Sequence, residues 1–218
     1  MTHDAPDYEP LRRGAGQSLA ATFVFTALVA VTLAADLGLK HWAFATVAGR
    51  PLRVRSDDNR QPSVYQLSET GNWVQLPRSD PQEPASAIPE HESRTVIGRL
   101  LDLRLTLNTG AVFGLGKGGR VVFIAASVLA VVVIILLYVR SRAGAWGLQM
   151  AYALILAGAL GNLYDRYQYS AVRDMLHLFP TTLLWPWIFN LADAALMVGV
   201  AAVMLLSFRH SRDQNPEH

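Results

Sequence analysis

Four blocks of predominantly apolar residues constrain this chain more than any other feature. They cover residues 18 to 39, 121 to 139, 146 to 164 and 188 to 208. Each has the roughly 20 residues that a helix needs to cross a hydrocarbon core about 30 Å thick. In lipid every backbone polar group must be satisfied within the protein, so such blocks read as helices. The expected fold class is an all-α membrane protein: one domain over residues 1–218, with four transmembrane helices. The first block also resembles a cleaved signal peptide, with Arg12 and Arg13 ahead of it and Leu33-Ala34-Ala35 as a small-residue site. Its length exceeds the usual 7–15-residue apolar core, and Asp36 and Lys40 on one helical face suit a retained helix end.

Composition narrows the function classes. Only 17% of the residues are charged, against about 25% in soluble domains. The formal net charge is +2, and no basic run is interleaved with aromatics, so no nucleic-acid partner is expected. With no cysteine, disulfides, thiolate catalysis and Cys-based zinc sites are excluded. The six histidines share no i, i+4 spacing, so no metal or cofactor is expected. Membrane lipid is the expected surrounding, and a monomer the expected state.

Positive charge in short loops orients the spans. Arg12 and Arg13, Arg140 and Arg142, and Arg209 and Arg212 fall on one side of a four-span topology. That side should be the cytoplasm and should hold both termini. Residues 41–118 and 166–187 then lie outside. The first outer loop contains a Pro-, Ser-, Asp- and Arg-rich insertion over 51–95, with strand candidates at 64–67 and 73–76. Leu101, Leu103, Leu105 and Leu107 alternate with Asp102, Arg104 and Thr106. That period of two marks a half-buried strand, expected in a small extracytoplasmic sheet with its apolar face toward the membrane. In the second outer loop Tyr164, Tyr167, Tyr169, Trp185 and Trp187 bracket Met175, Leu176, Leu178 and Phe179. This reads as an interfacial segment, with Pro180 and Pro186 stopping any long helix.

The polar residues gather at the outer ends of the spans: Asp36 and Lys40, Asn108 and Gly110, Asn162, Asp165 and Arg166, Asp174, then Asn190 and Asp193. Asn162 and Asp165 are three apart, as are Asn190 and Asp193, so each pair shares a helix face. Ionisable groups near a span usually face the bundle interior and mark function. Plainer roles also exist. Asp165 with Arg166, and Asp36 with Lys40, would serve as structural ion pairs, and the asparagines as partners for backbone groups. Two facing carboxyls in a poorly hydrated site split their proton affinities. Such a pair activates water for amide hydrolysis or relays protons, and on these grounds a peptidase and a small proton-coupled transporter both stand.

The motifs resemble those of lipoprotein signal peptidase, or signal peptidase II. They are Asp36 to Lys40, Asn108-Thr109-Gly110-Ala111-Val112-Phe113, Gly161-Asn162 through Asp165-Arg166, Val172-Arg173-Asp174, and Phe189-Asn190-Leu191-Ala192-Asp193. The resemblance implies a four-helix aspartyl endopeptidase of the bacterial inner membrane with a periplasmic β-cradle. It implies removal of the signal peptide from diacylglyceryl-modified prolipoproteins, with cleavage before the lipidated cysteine and inhibition by globomycin. The implied catalytic pair is Asp174 and Asp193. The implied supporting residues are Asp36, Lys40, Asn108, Gly110, Asn162, Asp165, Arg166, Asn190 and Ala192. Three features depart from the family: Gly38-Leu39 where a hydroxyl often precedes the lysine, Ser170 where glycine is common, and a first outer loop longer than usual.

Overall fold

The computed structural model describes residues 14–80, 83–110, 119–182 and 185–213. Arg12 and Arg13, and Ala111 to Phe113 of the second motif, lie outside that range. Four helices are long and apolar enough to cross a membrane. They are α1 (Leu19–Thr46), α2 (Gly119–Arg140), α3 (Trp146–Tyr169) and α4 (Leu191–Asp213). Between α1 and α2 lie β1 (Leu52–Ser56), β2 (Pro62–Leu67), β3 (Trp73–Gln75), β4 (Arg94–Ile97) and β5 (Leu101–Asn108). Between α3 and α4 lie β6 (Val172–Leu178) and β7 (Ile188–Phe189).

The bundle turns its bulky apolar side chains outward. Phe23, Val121, Leu129, Leu205 and Phe208 are each more than 60% exposed, which would be untenable in water and suits a lipid-facing perimeter. The interior combines buried Phe25, Ile134, Tyr138, Tyr152, Ile155 and Leu156 with many small residues. Helix α3 is central and packs against α1, α2 and α4, burying Ala151, Ala153, Ala157, Gly158, Ala159 and Gly161. Small side chains let helix backbones approach closely where no hydrophobic effect drives association. A Cβ on Gly161 would lie 2.6 Å from Asp36 Oδ2 and 3.2 Å from the Ala192 Cβ. At the far end of the bundle Gly14 bridges to Arg142, and the Ala15 N–H donates to the Ser141 carbonyl at 2.8 Å. The start of the described chain and the α2–α3 turn therefore share one end.

The extramembrane chain forms two antiparallel sheets, ordered β1-β2-β3 and β4-β5-β6-β7. Residues 172–178, expected to lie along the interface, form strand β6, paired with β5 in the register Thr106↔Asp174, Leu107↔Arg173 and Asn108↔Val172. Backbone pairing with β5 satisfies the N–H and C=O groups that a surface segment would leave to water. The insertion is likewise ordered, because Leu52, Val54 and Val64 share a core with Leu103, Leu105, Leu107 and Met175. Phe44 and Val47 join that core, and this explains why α1 runs on past residue 39. The fourth block divides: Ile188–Phe189 pair as β7, and the helix starts only at Leu191.

Candidate active site

Four charged side chains meet where α1, α3 and β6 converge. Asp36 and Lys40, one turn apart on α1, are both fully buried, and Lys40 Nζ donates to Asp36 Oδ2 at 2.7 Å. Lys40 Nζ also lies 3.4 Å from Asp165 Oδ2. Asp165 Oδ1 accepts from an Arg173 terminal nitrogen at 2.9 Å, and its Oδ2 from Arg173 Nε at 3.3 Å and from the Arg173 N–H at 3.0 Å. Two acids and two bases sum to zero, and each charge has an opposite neighbour, the condition under which charge is tolerated in a dry interior. Asp165 is thus held from other elements, by Arg173 and Lys40. The next residue, Arg166, sets its guanidinium 5.0 Å from the Phe123 ring centre, within electrostatic reach of Asp193, Asp174 and Asp165.

The second oxygen of Asp36 carries the network to α4, accepting from the Ala192 N–H at 2.9 Å. Ala192 thus contributes a backbone donor and a side chain small enough to sit against Gly161. One residue further, the start of α4 folds as a reciprocal cap. Asn190 Oδ1 accepts from the Asp193 N–H at 3.0 Å, while Asp193 Oδ2 accepts from the Asn190 N–H at 3.3 Å. The spacing Asn190-Leu191-Ala192-Asp193 therefore sets both the helix start and the direction of the Asp193 carboxylate.

With its oxygen fixed by that cap, the amide nitrogen of Asn190 is free to face inward. It donates to Asp174 Oδ1 at 2.6 Å and to Asn162 Oδ1 at 3.2 Å. Asn162 Nδ2 in turn donates to Asp193 Oδ1 at 2.7 Å. Asp174 and Asp193 are thus joined through two asparagines, one from α3 and one from the α4 cap. The two acids sit in different surroundings. Asp193 is half-buried, whereas Asp174 is 1% exposed and, among the described residues, no hydrogen-bond partner reaches its Oδ2. Burial pushes the Asp174 carboxyl up to about 7, with the Asp193 charge adding to the rise. The amides of Asn190 and Asn108, and the charge of Lys40, pull the other way. Asn108 Oδ1 accepts from the Gly110 N–H at 2.9 Å. Gly110 has φ +79°, and a Cβ there would collide with the Phe123 ring.

The implied catalytic and supporting residues therefore come to one end of the bundle, opposite the α2–α3 turn. Arg173, present within a motif but given no role there, belongs with them. Its signal was present, since alternation along a strand puts Arg173 and Asp174 on opposite faces, but residues 172–178 were not read as a strand. Two of the departures are also accounted for. Gly38 is exposed, with open space where a side chain would project, so a missing hydroxyl there removes no contact at Asp36. Ser170 caps α3 in the left-handed region at φ 62°, which is why glycine suits the position. Its hydroxyl lies 2.6 Å from that of Ser56 on β1, tying the insertion to the end of α3.

Comparison with known proteins places this geometry. The family model described as signal peptidase (SPase) II matches residues 80–209. A lipoprotein signal peptidase of Desulfitobacterium hafniense is 37% identical over 123 residues, covering 56% of this chain and 79% of that protein. One from Moorella thermoacetica is 40% identical over 110 residues, covering 50% and 70%. A bacterial membrane enzyme solved by the in meso method superposes with a TM-score of 0.62 over 96% of this chain and 99% of that one. At 18% identity that likeness speaks to the fold alone. A profile match running from just after the insertion sheet to the end of α4, together with relatives of this similarity, shows that the chain is a multi-pass membrane protein belonging to the signal peptidase II family of peptidases.

Proposed function

We propose that the protein is an aspartyl endopeptidase that removes signal peptides from diacylglyceryl-modified prolipoproteins, cutting before the lipidated cysteine. The observation that carries this reading is the asymmetry of Asp174 and Asp193. Asp174 is buried, the pKa of its carboxyl is raised to about 7, and one oxygen has no partner among the described residues. Asp193 is half-buried at a helix N-terminus, where backbone N–H groups favour negative charge. In this scheme Asp193 is the charged member and accepts a proton from the attacking water. Asp174 holds its proton on Oδ2 and gives it to the carbonyl oxygen as the water oxygen bonds to the carbonyl carbon. Collapse of the tetrahedral species breaks the C–N bond: the proton held by Asp193 passes to the departing nitrogen, and one diol hydroxyl returns its proton to Asp174 as the C=O bond re-forms. Asn162 and Asn190 keep the two carboxyls aligned. Asp36, Lys40, Asp165, Arg166, Ala192, Asn108 and Gly110 support them by holding the surrounding elements in place.

In the same proposal the site lies at the periplasmic face of the inner membrane, and both termini are cytoplasmic. A substrate with an apolar signal helix and two acyl chains lies in lipid, while its scissile bond needs water. A site at the rim of the bundle meets both demands. The test is a gel-shift cleavage assay on a diacylglyceryl precursor, with and without globomycin. Cleavage abolished by globomycin and by Asp174→Asn or Asp193→Asn supports the reading. Cleavage that persists in either variant refutes it.

A further inference from the structure

A cavity of about 310 Å³ opens between the end of α1 and the insertion sheet. Arg173 lines it, so alternation along β6 puts it on the face away from Asp174. Its polar lining is cationic: Arg53, Arg55 and Arg173 with His41, and no carboxylate. Arg173 is already held by Asp165. Arg53 and Arg55 are not: among the described residues neither meets an acid, and both project from the exposed face of β1. Their guanidiniums sit over aromatic rings instead, Arg53 4.0 Å from the centre of Trp73 and Arg55 5.8 Å from that of Tyr65. Stacking of this kind holds the planar fork in place while leaving its N–H groups free. The family match begins at residue 80, so the strand carrying both arginines lies outside it.

The depth of the cavity identifies what would fill it. Helix α1 has 28 residues, or about 42 Å at 1.5 Å per residue, against a hydrocarbon core of about 30 Å. Ser18 caps its first turn and the apolar run fills residues 19–39, so the surplus of about 12 Å lies at the end bearing His41, Phe44 and Ala45. These residues line the cavity at headgroup level. Trp73 and Tyr169, also in its wall, are residue types that favour this level. We infer that the cavity binds the phosphate of an anionic phospholipid of the surrounding leaflet, gripped by Arg53 and Arg55. Arginine presents paired N–H donors that match phosphate oxygens. The inference needs only the membrane placement of α1 and stands apart from the peptidase chemistry.

Native mass spectrometry of the full chain in detergent tests it, with phosphatidylglycerol, phosphatidylcholine, inorganic phosphate or an acidic peptide as the probe. The wild-type protein should retain phosphatidylglycerol over phosphatidylcholine. An Arg53→Gln/Arg55→Gln variant, checked for folding by thermal melting, should bind it roughly 30-fold more weakly, at about fivefold for each arginine near an anionic surface. Arg53→Lys/Arg55→Lys should fall between them. Equal retention by wild type and the Gln variant overturns the inference, as does the absence of a headgroup preference. Capture of inorganic phosphate or the peptide in place of lipid overturns it too.

Discussion

Asn190 donates its side-chain amide to Asp174 Oδ1 at 2.6 Å while its own oxygen receives the N–H of Asp193. One residue thereby sets the start of a membrane helix and the spacing of two carboxyls. Replacing Asn190 by Ala removes the cap, worth about 1 kcal/mol, and frees both acids to move. The expected outcome is a lower melting temperature in detergent together with a fall in turnover of about 100-fold or more, the scale of general acid–base catalysis. A variant that loses stability but keeps full turnover would separate the cap from the chemistry.

Asp174→Asn and Asp193→Asn should each remove about 100- to 10,000-fold of the cleavage rate and leave the protein folded, since the amide keeps nearly the shape of the acid. Gel-shift turnover and thermal melting on the same samples check both halves. A collapse of folding in either variant would point instead to the acids as interhelical glue.

The pH dependence follows from the rise of the Asp174 carboxyl to about 7. Because the proposed acid must carry its proton, kcat/KM should fall as pH rises through about 7. The stability contribution has the same sign. Between the ordinary value of 3.8 and about 7 the folded state binds the proton that the unfolded state has lost, so stability declines as pH rises through that window. The Asn108 amide pulls the Asp174 value down. Asn108→Ala should therefore move the alkaline limb of the pH–rate profile upward, and a downward move would contradict the assignment.

Asp36, Lys40, Asp165 and Arg173 form a buried cluster of zero net charge. Arg173→Met leaves two buried carboxylates sharing the single cation Lys40 and should cost about 3–5 kcal/mol. Adding Asp165→Asn should recover part of that loss by removing the stranded charge. Melting of the single and double variants measures the coupling, and additive losses would contradict the pairing.

Glycine positions offer a paired test of packing. Gly161→Ala puts a methyl group 2.6 Å from Asp36 Oδ2 and should destabilise by about 1–3 kcal/mol. Gly38→Ala, on the same side of the membrane, points into open space and should be neutral or stabilising by up to about 1 kcal/mol. At Ser170, glycine relieves the left-handed backbone, worth about 1–2 kcal/mol, but loses the contact with Ser56, worth about 1 kcal/mol. Ser170→Gly should thus change the melting temperature little, and Ser170→Ala should lower it.

Much of this protein was legible in residue order because membrane insertion acts locally. Some 20 apolar residues must become a helix wherever they occur, so the number of spans followed from block lengths. The fourth block reads as helix from residue 188, whereas the helix starts at Leu191 because Asn190 and Asp193 close a cap there. The gathering of Asp36, Asn162, Asp165, Asp174 and Asp193 at one end followed from alternating span direction. Partnerships across elements were not legible. Asp165 pairs with Arg173 from another element, and Ser56 meets Ser170 across 114 positions. Residues 172–178 became a strand because β5 offered it an edge, and the insertion became a sheet because Leu52, Val54 and Val64 found a core to share. Local propensity sets which way a side chain points along its own helix or strand. Only the packing of one element on another decides what lies in front of it.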